Sequence, residues 1–294
     1  MDILLNQLVA GLSVGSVLLL VAVGLSLTFG QMGVINMAHG EFIMVGAYTA
    51  YVVQLVVGSA GLSLLISIPL AFIIGGLFGV LLEQFLLKYL YHRPLDTLLA
   101  TFGVGLILQQ LARNIFGAPA VDVRAPEFLR GNVEVLGVLV PTARLFILAL
   151  AIASVTALAV FLKRTAGGRR IRAVVLNRDL AETAGIDTRA TDRMTFFVGS
   201  GLAGIAGVAI TLIGATGPTI GQNYIVDAFL VVAAGGIGRV KGAVIMAFVL
   251  GITQAFVEYT TGASIAKFIV LIAVVAFLQF RPQGLFQTQT RSLV

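Results

Sequence analysis

The feature that most constrains this chain is a series of apolar runs long enough to cross a lipid bilayer. Clear runs occupy residues 8–28, 62–82, 145–162, 196–215, 243–259 and 265–280, and less regular ones occupy 42–57, 95–116 and 225–235. A spanning helix needs about 20 mainly apolar residues. The runs lack the alternation of a membrane barrel strand. The sequence therefore predicts an all-α polytopic membrane protein with about 8–10 spanning helices.

The composition excludes a soluble globular protein. Hydrophobic residues make up 59% of the 294-residue chain, charged residues 11%, and the mean hydropathy is +1.04. Soluble domains are about 45–50% apolar and about 25% charged. The net charge of +6 does not indicate nucleic-acid binding, because the basic residues cluster between the apolar runs. We expect one transmembrane domain over residues 1–294, embedded in the bilayer, with no nucleic-acid partner.

The basic residues also predict the orientation. With the N-terminus outside and each segment crossing once, 14 of the 19 fall on the inner side, eight of them within loop 163–193. The other five lie in or beside outer segments: Arg113, Arg124, Arg130, Arg144 and Lys267. Basic residues favour cytoplasmic loops. We therefore expect an N-out, C-in topology, with residues 117–142 as a large outer loop.

The sequence lacks the residues and motifs of several kinds of metal site and catalytic site. The chain has no Cys and only two His residues, so a zinc site built from protein ligands is excluded. It contains no P-loop, no Ser-centred nucleophile elbow and no metalloprotease His pair. We therefore predict that the chain is not an enzyme and that it holds no metal and no cofactor.

A glycine-broken polar segment at residues 30–41 is the first candidate site. It contains three glycines together with Asn36, His39 and Glu41, close to apolar runs. Broken helices at membrane depth often line a transport path, and ionisable groups there are usually functional. The alternative is a simple inner loop at the interface, with Glu41 in water. The residues alone do not decide between these interpretations.

A capped helix is predicted inside the basic loop 163–193. Asn177 is a favourable N-cap, acidic residues occupy the first turns, and Gly185 suits the C-terminal position, which predicts a helix over residues 178–184. A helix this short is unstable alone, so we expect something to dock on it. The alternative is a loop that only fixes topology. The expected docking residues are Asn177, Arg178, Asp179, Leu180, Glu182, Ala184 and Gly185.

Several motifs resemble those of permease subunits from branched-chain-amino-acid-type ABC importers. They are GLSLTFG at 24–30, NMAHGE at 36–41, GAY at 46–48, the stretch 172–187, DAF at 227–229, GGIG at 235–238 and RPQGLF at 281–286. The resemblance covers nearly the whole chain. It implies a multi-pass protein of the bacterial inner membrane. It also implies a second homologous permease, two ATP-binding subunits that hydrolyse ATP, and an extracytoplasmic substrate-binding protein.

Two further stretches resemble the urea-transporting branch of that family: RPLDTLLAT at 93–101, continuing to LQQ at 108–110, and GQNYIVD at 221–227. They imply urea as cargo, with branched-chain amino acids or short amides as the alternative. Urea is neutral and rich in N–H donors, so its path needs acceptors and no strong fixed charge. The expected pathway residues are Asn36, His39, Glu41, Gln109, Asn223 and Asp227.

Three alternatives stay open at this point. Asp227 could instead stabilise a helix N-terminus. His39 could be a structural hydrogen-bonding residue. A passive channel would also place polar groups within apolar spans, although it would not need a capped docking helix or ATP.

Overall fold

The structure is a computed structural model that describes residues 2–33, 36–91, 93–135 and 137–286. Its helices are α1 (Asp2–Met32), α2 (His39–Val57), α3 (Ala60–Phe85), α4 (Pro94–Phe116), α5 (Thr142–Arg164), α6 (Ala166–Leu176), α7 (Arg178–Thr183), α8 (Thr188–Thr211), α9 (Ile220–Gly235), α10 (Val240–Thr261) and α11 (Ala263–Phe280). Two short 3-10 turns lie at Leu87–Tyr89 and Glu127–Leu129.

The all-α membrane fold predicted from the sequence is confirmed. Within the described residues, eight helices are long and apolar enough to span a membrane, namely α1, α2, α3, α4, α5, α8, α10 and α11. Helix α9 is apolar but has only 16 residues. At 1.5 Å per residue it is about 24 Å long, less than the hydrocarbon thickness of about 30 Å. The ninth expected segment is therefore a partial span.

Helices α1 and α8 form the centre of the bundle. Helix α1 packs against α8, α9 and α10, and α8 packs against α2 and α3. Small residues permit these close crossings, since a methyl group at Gly75 would lie 2.8 Å from the Ser200 carbonyl oxygen. The glycine pair Gly11 and Gly15 likewise faces the backbone of α10. Close approach through small residues is the usual way for membrane helices to associate.

Residues 117–142, predicted to form the outer loop, contain a β-hairpin that the sequence did not predict. Strand β1 (Asn132–Val135) pairs antiparallel with β2 (Val138–Pro141), and Gly137 in the turn has φ of +84°. A second pairing joins Val121 to Thr216, which lies in the connection between α8 and α9. Loop 117–142 is thereby paired with the segment that leads into the short helix α9.

The predicted topology can be tested by labelling single cysteines, because the chain has none of its own. Glu127 and Arg172 are both exposed, and the single span α5 separates them. We expect an impermeant thiol reagent to label Glu127→Cys from outside intact cells. Arg172→Cys should react only after permeabilisation. Labelling of both from the same side would contradict the topology.

Candidate functional site

Helix α2 begins in the middle of the membrane-spanning bundle. Glu41, its third residue, packs against Gly105, where an added methyl group would lie 3.5 Å from Glu41 Cγ. Gly105 is the central residue of the 23-residue helix α4, about 17 Å from either end. The backbone N–H of Met37 donates to Thr101 Oγ1 of α4, at 3.1 Å. The glycine-broken segment therefore lies within the bundle, not in an inner loop in water.

The start of helix α9 meets the start of α2 at this depth. A methyl group at Gly40 would lie 2.8 Å from the Gly221 carbonyl oxygen, and one at Gly221 would collide with the Gly40 carbonyl. Gly40 and Gly221 are the second residues of their helices. Only glycine permits this backbone approach. The two helix N-termini therefore meet inside the bundle, an arrangement known from transporter substrate sites.

Local sequence explains how the chain returns into the bundle. Helix α1 ends before Gly33, which has φ of +64°. Asn36 Oδ1 then accepts from the backbone N–H of Ala38, at 3.0 Å, and so stabilises the turn before α2. Val34 and Ile35 lie outside the described residues. The polar segment is thus a turn that delivers α2 to membrane depth.

Glu41 and Gln109 form a buried polar pair. Gln109 Nε2 donates to Glu41 Oε1 at 2.7 Å, and the two residues are only 3% and 2% exposed, respectively. Among the described residues, Glu41 Oε2 and Asn36 Nδ2 have no hydrogen-bond partner. Buried polar atoms in native proteins nearly always have a partner. These two atoms are therefore candidates for contact with water or a passing solute.

A small cavity of about 20 Å³ adjoins this pair. Its lining includes Glu41, Gln109, Phe102 and Gln222. A water molecule needs about 10–15 Å³, so the cavity is large enough for one water molecule. Phe102 and Gln222 are exposed, so the cluster borders the surface between α4 and α9. Gln222 was not among the predicted pathway residues, although its position next to Gly221 could have indicated it.

His39 occupies the core beside this cluster. Its side chain is fully buried, Nε2 lies 3.4 Å from the Val21 carbonyl oxygen, and the ring meets Phe42 edge-on. Nδ1 has no hydrogen-bond partner among the described residues. The contacts with the Val21 carbonyl of α1 and with Phe42 favour a structural role; a structural hydrogen-bonding residue was the alternative interpretation of this histidine.

Asn223 and Asp227 lie away from the Glu41 cluster. Lys267 Nζ of α11 lies 3.0 Å from Asp227 Oδ2 and donates to the Asn223 carbonyl oxygen at 3.3 Å. None of these three residues lines the cavity beside Glu41. Asp227 is the eighth residue of α9, too far along to act as a first-turn acid. The six predicted pathway residues therefore form two separate groups.

The short helix predicted within loop 163–193 is present with the predicted caps. Asn177 Oδ1 accepts from the Leu180 N–H at 3.0 Å, and Gly185 has φ of +79°. Helix α7 ends at Thr183, one residue before the predicted end at Ala184. Leu180 is 65% exposed, and Asp179 and Ala184 are exposed as well. These side chains are open to a docking partner.

Helix α6, which precedes α7, was not predicted from the sequence. Its N-cap Thr165 accepts through Oγ1 from the Gly168 N–H, at 3.0 Å. Leu176, its last residue, is 87% exposed near Leu180 in the chain. Helices α6 and α7 therefore each present one exposed leucine.

Arg178 and Glu182 make contacts within the chain, whereas the sequence predicted them as residues that contact a docking partner. Arg178 Nη2 donates to Asp192 Oδ2 at 2.7 Å, and Nη1 donates to Oδ1 at 3.3 Å. Glu182 Oε1 accepts from Thr188 Oγ1 at 2.6 Å. Both partners belong to α8. The polar side of α7 thus fastens it to the central helix of the bundle.

The same contacts extend to α3. The Arg178 guanidinium lies 5.5 Å from the Tyr91 ring centre, and Tyr91 donates to Glu83 Oε1 at 2.5 Å. Burial and this hydrogen bond raise the pKa of Tyr91. Burial alone would lower the pKa of Arg178, but Asp192 raises it above its usual value. Arg178 therefore stays charged and links α7 to both α8 and α3.

The sequence profile of a transporter family covers most of this chain. The family is described as the permease component of branched-chain amino acid transport systems, and its profile matches residues 7–278. The chain belongs to this family. No solved structure matches the permease significantly.

Individual relatives agree with this assignment. The permease is 28% identical to BraD of Pseudomonas aeruginosa, a high-affinity branched-chain amino acid permease protein, over 96% of this chain and 95% of BraD. It is 28% identical to LivH of Escherichia coli K12, over 92% and 93% of the two chains. A probable LivH of Methanocaldococcus jannaschii is also 28% identical, over 92% and 88%.

Family membership confirms the coarser predictions. The chain is a multi-pass permease subunit of the inner membrane and not an enzyme. ABC permeases of this kind act with ATP-binding subunits and a substrate-binding protein. The finer prediction of a urea-transporting member finds no support in these relatives, whose names refer to branched-chain amino acids.

Proposed function

We propose that this permease imports branched-chain amino acids as one membrane subunit of an ATP-driven importer. The observation that carries the proposal is the similarity to BraD and LivH along more than nine-tenths of the chain. The sequence-based alternative, amino acids in place of urea, thus becomes the main proposal.

The proposed complex contains a second homologous permease, two ATP-binding subunits and an extracytoplasmic binding protein. The Glu41 cluster supports a second permease, because it borders an incompletely covered surface. Phe102 and Gln222 are exposed there, and Gln110 is exposed farther along α4. Exposed amides are costly in lipid. A second permease packed against α4 and α9 would cover them and complete the path.

The proposed pathway passes the buried atoms of the Glu41 cluster. Glu41 Oε2 can accept from the ammonium group of an amino acid, and Asn36 Nδ2 can donate to its carboxylate. The cavity of about 20 Å³ is too small for an amino acid, so passage requires α4 and α9 to move apart. The described conformation is therefore closed at this point.

Replacing Glu41 tests the pathway. We expect Glu41→Ala to lower leucine uptake roughly 10- to 100-fold, because hydrogen bonds to charged groups contribute about 1.5–3 kcal/mol. The matched control is Thr253→Ala on α10, whose exposed hydroxyl donates to the Val249 carbonyl of its own helix. Uptake is measured at equal amounts of membrane-inserted protein. Normal uptake by both Glu41→Ala and Asn36→Ala would refute the assignment.

Docking of the ATP-binding subunits is assigned to the exposed leucines of α6 and α7. Leu176 and Leu180 are apolar, outside the spans and mostly exposed. Apolar anchors at the centre of an interface usually carry much of its binding energy. Through Arg178 and Asp192, motion of α7 would reach α8 directly.

Urea remains a second candidate on one observation. Among the described residues that line the cavity beside Glu41, none is basic, as a neutral donor-rich solute would require. The two cargoes are distinguished by competition in cells that produce the whole importer. We expect unlabelled valine and isoleucine to inhibit uptake of labelled leucine, and urea to have no effect. Inhibition by urea alone would overturn the proposal in favour of urea.

A further inference from the structure

A cavity of about 470 Å³ lies in the outer half of the bundle. It shares no lining residue with the small cavity beside Glu41. Arg144, the third residue of α5, and Lys267, the fifth of α11, place it near the helix ends that the topology assigns to the outside. Its polar lining includes Arg144, Asn223, Tyr224, Asp227, Gln254 and Lys267.

The charges of this outer cavity do not balance. Lys267 is paired with Asp227 at 3.0 Å. Arg144 also lines the cavity and is exposed, and no ion pair joins it to any described residue. The lining therefore carries two cations against one anion. This surplus of one positive charge favours a ligand with a carboxylate or another anionic group.

Apart from Ser13, the remaining wall of the outer cavity consists of apolar residues and glycine. Val14, Val17 and Leu18 of α1 line one part, and Ile210 and Ile220 line another. Small-molecule sites typically combine an apolar wall with a few polar groups, in a volume of about 300–1,000 Å³. The outer cavity has both properties. Its chemistry suits a small solute with an anionic end and a branched apolar end.

We propose that the outer cavity is an entry site for the apolar amino acid. The amino acid passes from the binding protein into this cavity before it reaches the Glu41 cluster. The inference rests on the proposed amino acid transport. The ligand carboxylate pairs with Arg144, and its side chain packs against Val17 and Ile210. The ammonium group shares the carboxylate of Asp227, which is 19% exposed beside Lys267.

A lipid phosphate offers the same anionic chemistry near this end of the bundle. Position alone does not separate it from a carboxylate, because Arg144 binds either group. The apolar pocket residues favour a short branched side chain. Nanodiscs with and without phosphatidylglycerol distinguish a bound lipid phosphate from a bound amino acid carboxylate, since only binding of a lipid depends on the anionic lipid.

Direct binding tests the entry site without the binding protein. The permease complex in nanodiscs is titrated with three related ligands, and binding is followed by saturation-transfer NMR. Leucine carries both charges, 4-methylpentanoate lacks the ammonium group, and 3-methylbutylamine lacks the carboxylate. We expect the first two to bind and compete with each other, and the amine not to bind. Binding of the amine as tight as that of leucine would overturn the proposal.

Variants assign the binding to the outer cavity. We expect Arg144→Ala to weaken leucine binding at least tenfold, and Arg144→Lys to restore part of it. The control is Arg130→Ala, at an exposed outer-loop arginine that does not line the cavity. Unchanged binding in Arg144→Ala, or leucine binding abolished by phosphatidylglycerol, would overturn the entry site. If cells still import leucine in that case, the proposed function stands without it.

Discussion

The variant Gly221→Ala should lose nearly all transport activity while the chain still inserts into the membrane. A methyl group at this position would overlap the Gly40 carbonyl, so helices α2 and α9 could not keep their contact. Overpacking of a tight interface typically costs about 1–3 kcal/mol. Here it would also displace Glu41, the next residue after Gly40. We expect uptake of labelled leucine to fall at least tenfold.

Gly103→Ala is the matched control for this variant. Gly103 also lies in a spanning helix, but no described atom outside the adjacent turns of its own helix lies within 4 Å of the position its methyl group would take. Both substitutions favour the helix by about 1 kcal/mol in propensity. Only the clash therefore separates them. Equal, wild-type uptake by the two variants would show that α2 and α9 do not meet as described.

Leu180→Asp should uncouple the importer without disturbing the bundle. Leu180 is exposed on α7, outside the spans, so an acidic side chain there leaves no buried charge within the chain. Loss of an apolar anchor from an interface typically costs 2 kcal/mol or more, about a thirtyfold change in affinity. We expect copurification of the ATP-binding subunits to weaken and uptake to fall accordingly.

Thr183→Ala provides the comparison, since Thr183 is exposed on the same helix but is not apolar and is not one of the expected docking residues. It should retain both copurification and uptake. Wild-type behaviour of Leu180→Asp would mean that loop 163–193 only fixes topology. That outcome would also revive the passive channel.

Local signals in the sequence were enough to predict helix α7. Asn177 and Gly185 cap α7 as expected, because capping depends on residues within one turn. The hydrogen bond from Arg178 to Asp192 was not predictable in this way, because Asp192 lies 14 residues further on, in α8. Helix α6 was missed because its early glycines, Gly167 and Gly168, disfavour a helix locally. Tertiary packing overrides that preference, since Gly168 lies against the backbone of Phe161.

The candidate site divides in the same way. The glycine-broken segment indicated polar groups at membrane depth, and the structure places them there. Gln109, another of the expected pathway residues, donates a hydrogen bond to Glu41. That Asn223 and Asp227 lie together could have been predicted, because residues four apart share one helix face. Their partner Lys267 could not, since its ion pair spans 40 residues of sequence between α9 and α11. Long-range pairs of this kind need the fold.

The most direct test of the central claim is transport by purified components in proteoliposomes. The vesicles contain this permease, its partner permease and the ATP-binding subunits, with ATP inside and the binding protein outside. We predict that labelled leucine accumulates above its external concentration only when the enclosed nucleotide can be hydrolysed, and that urea does not accumulate. Leucine that merely equilibrates, at the same rate with and without ATP, would contradict an importer. Accumulation of urea in place of leucine would contradict the proposed cargo.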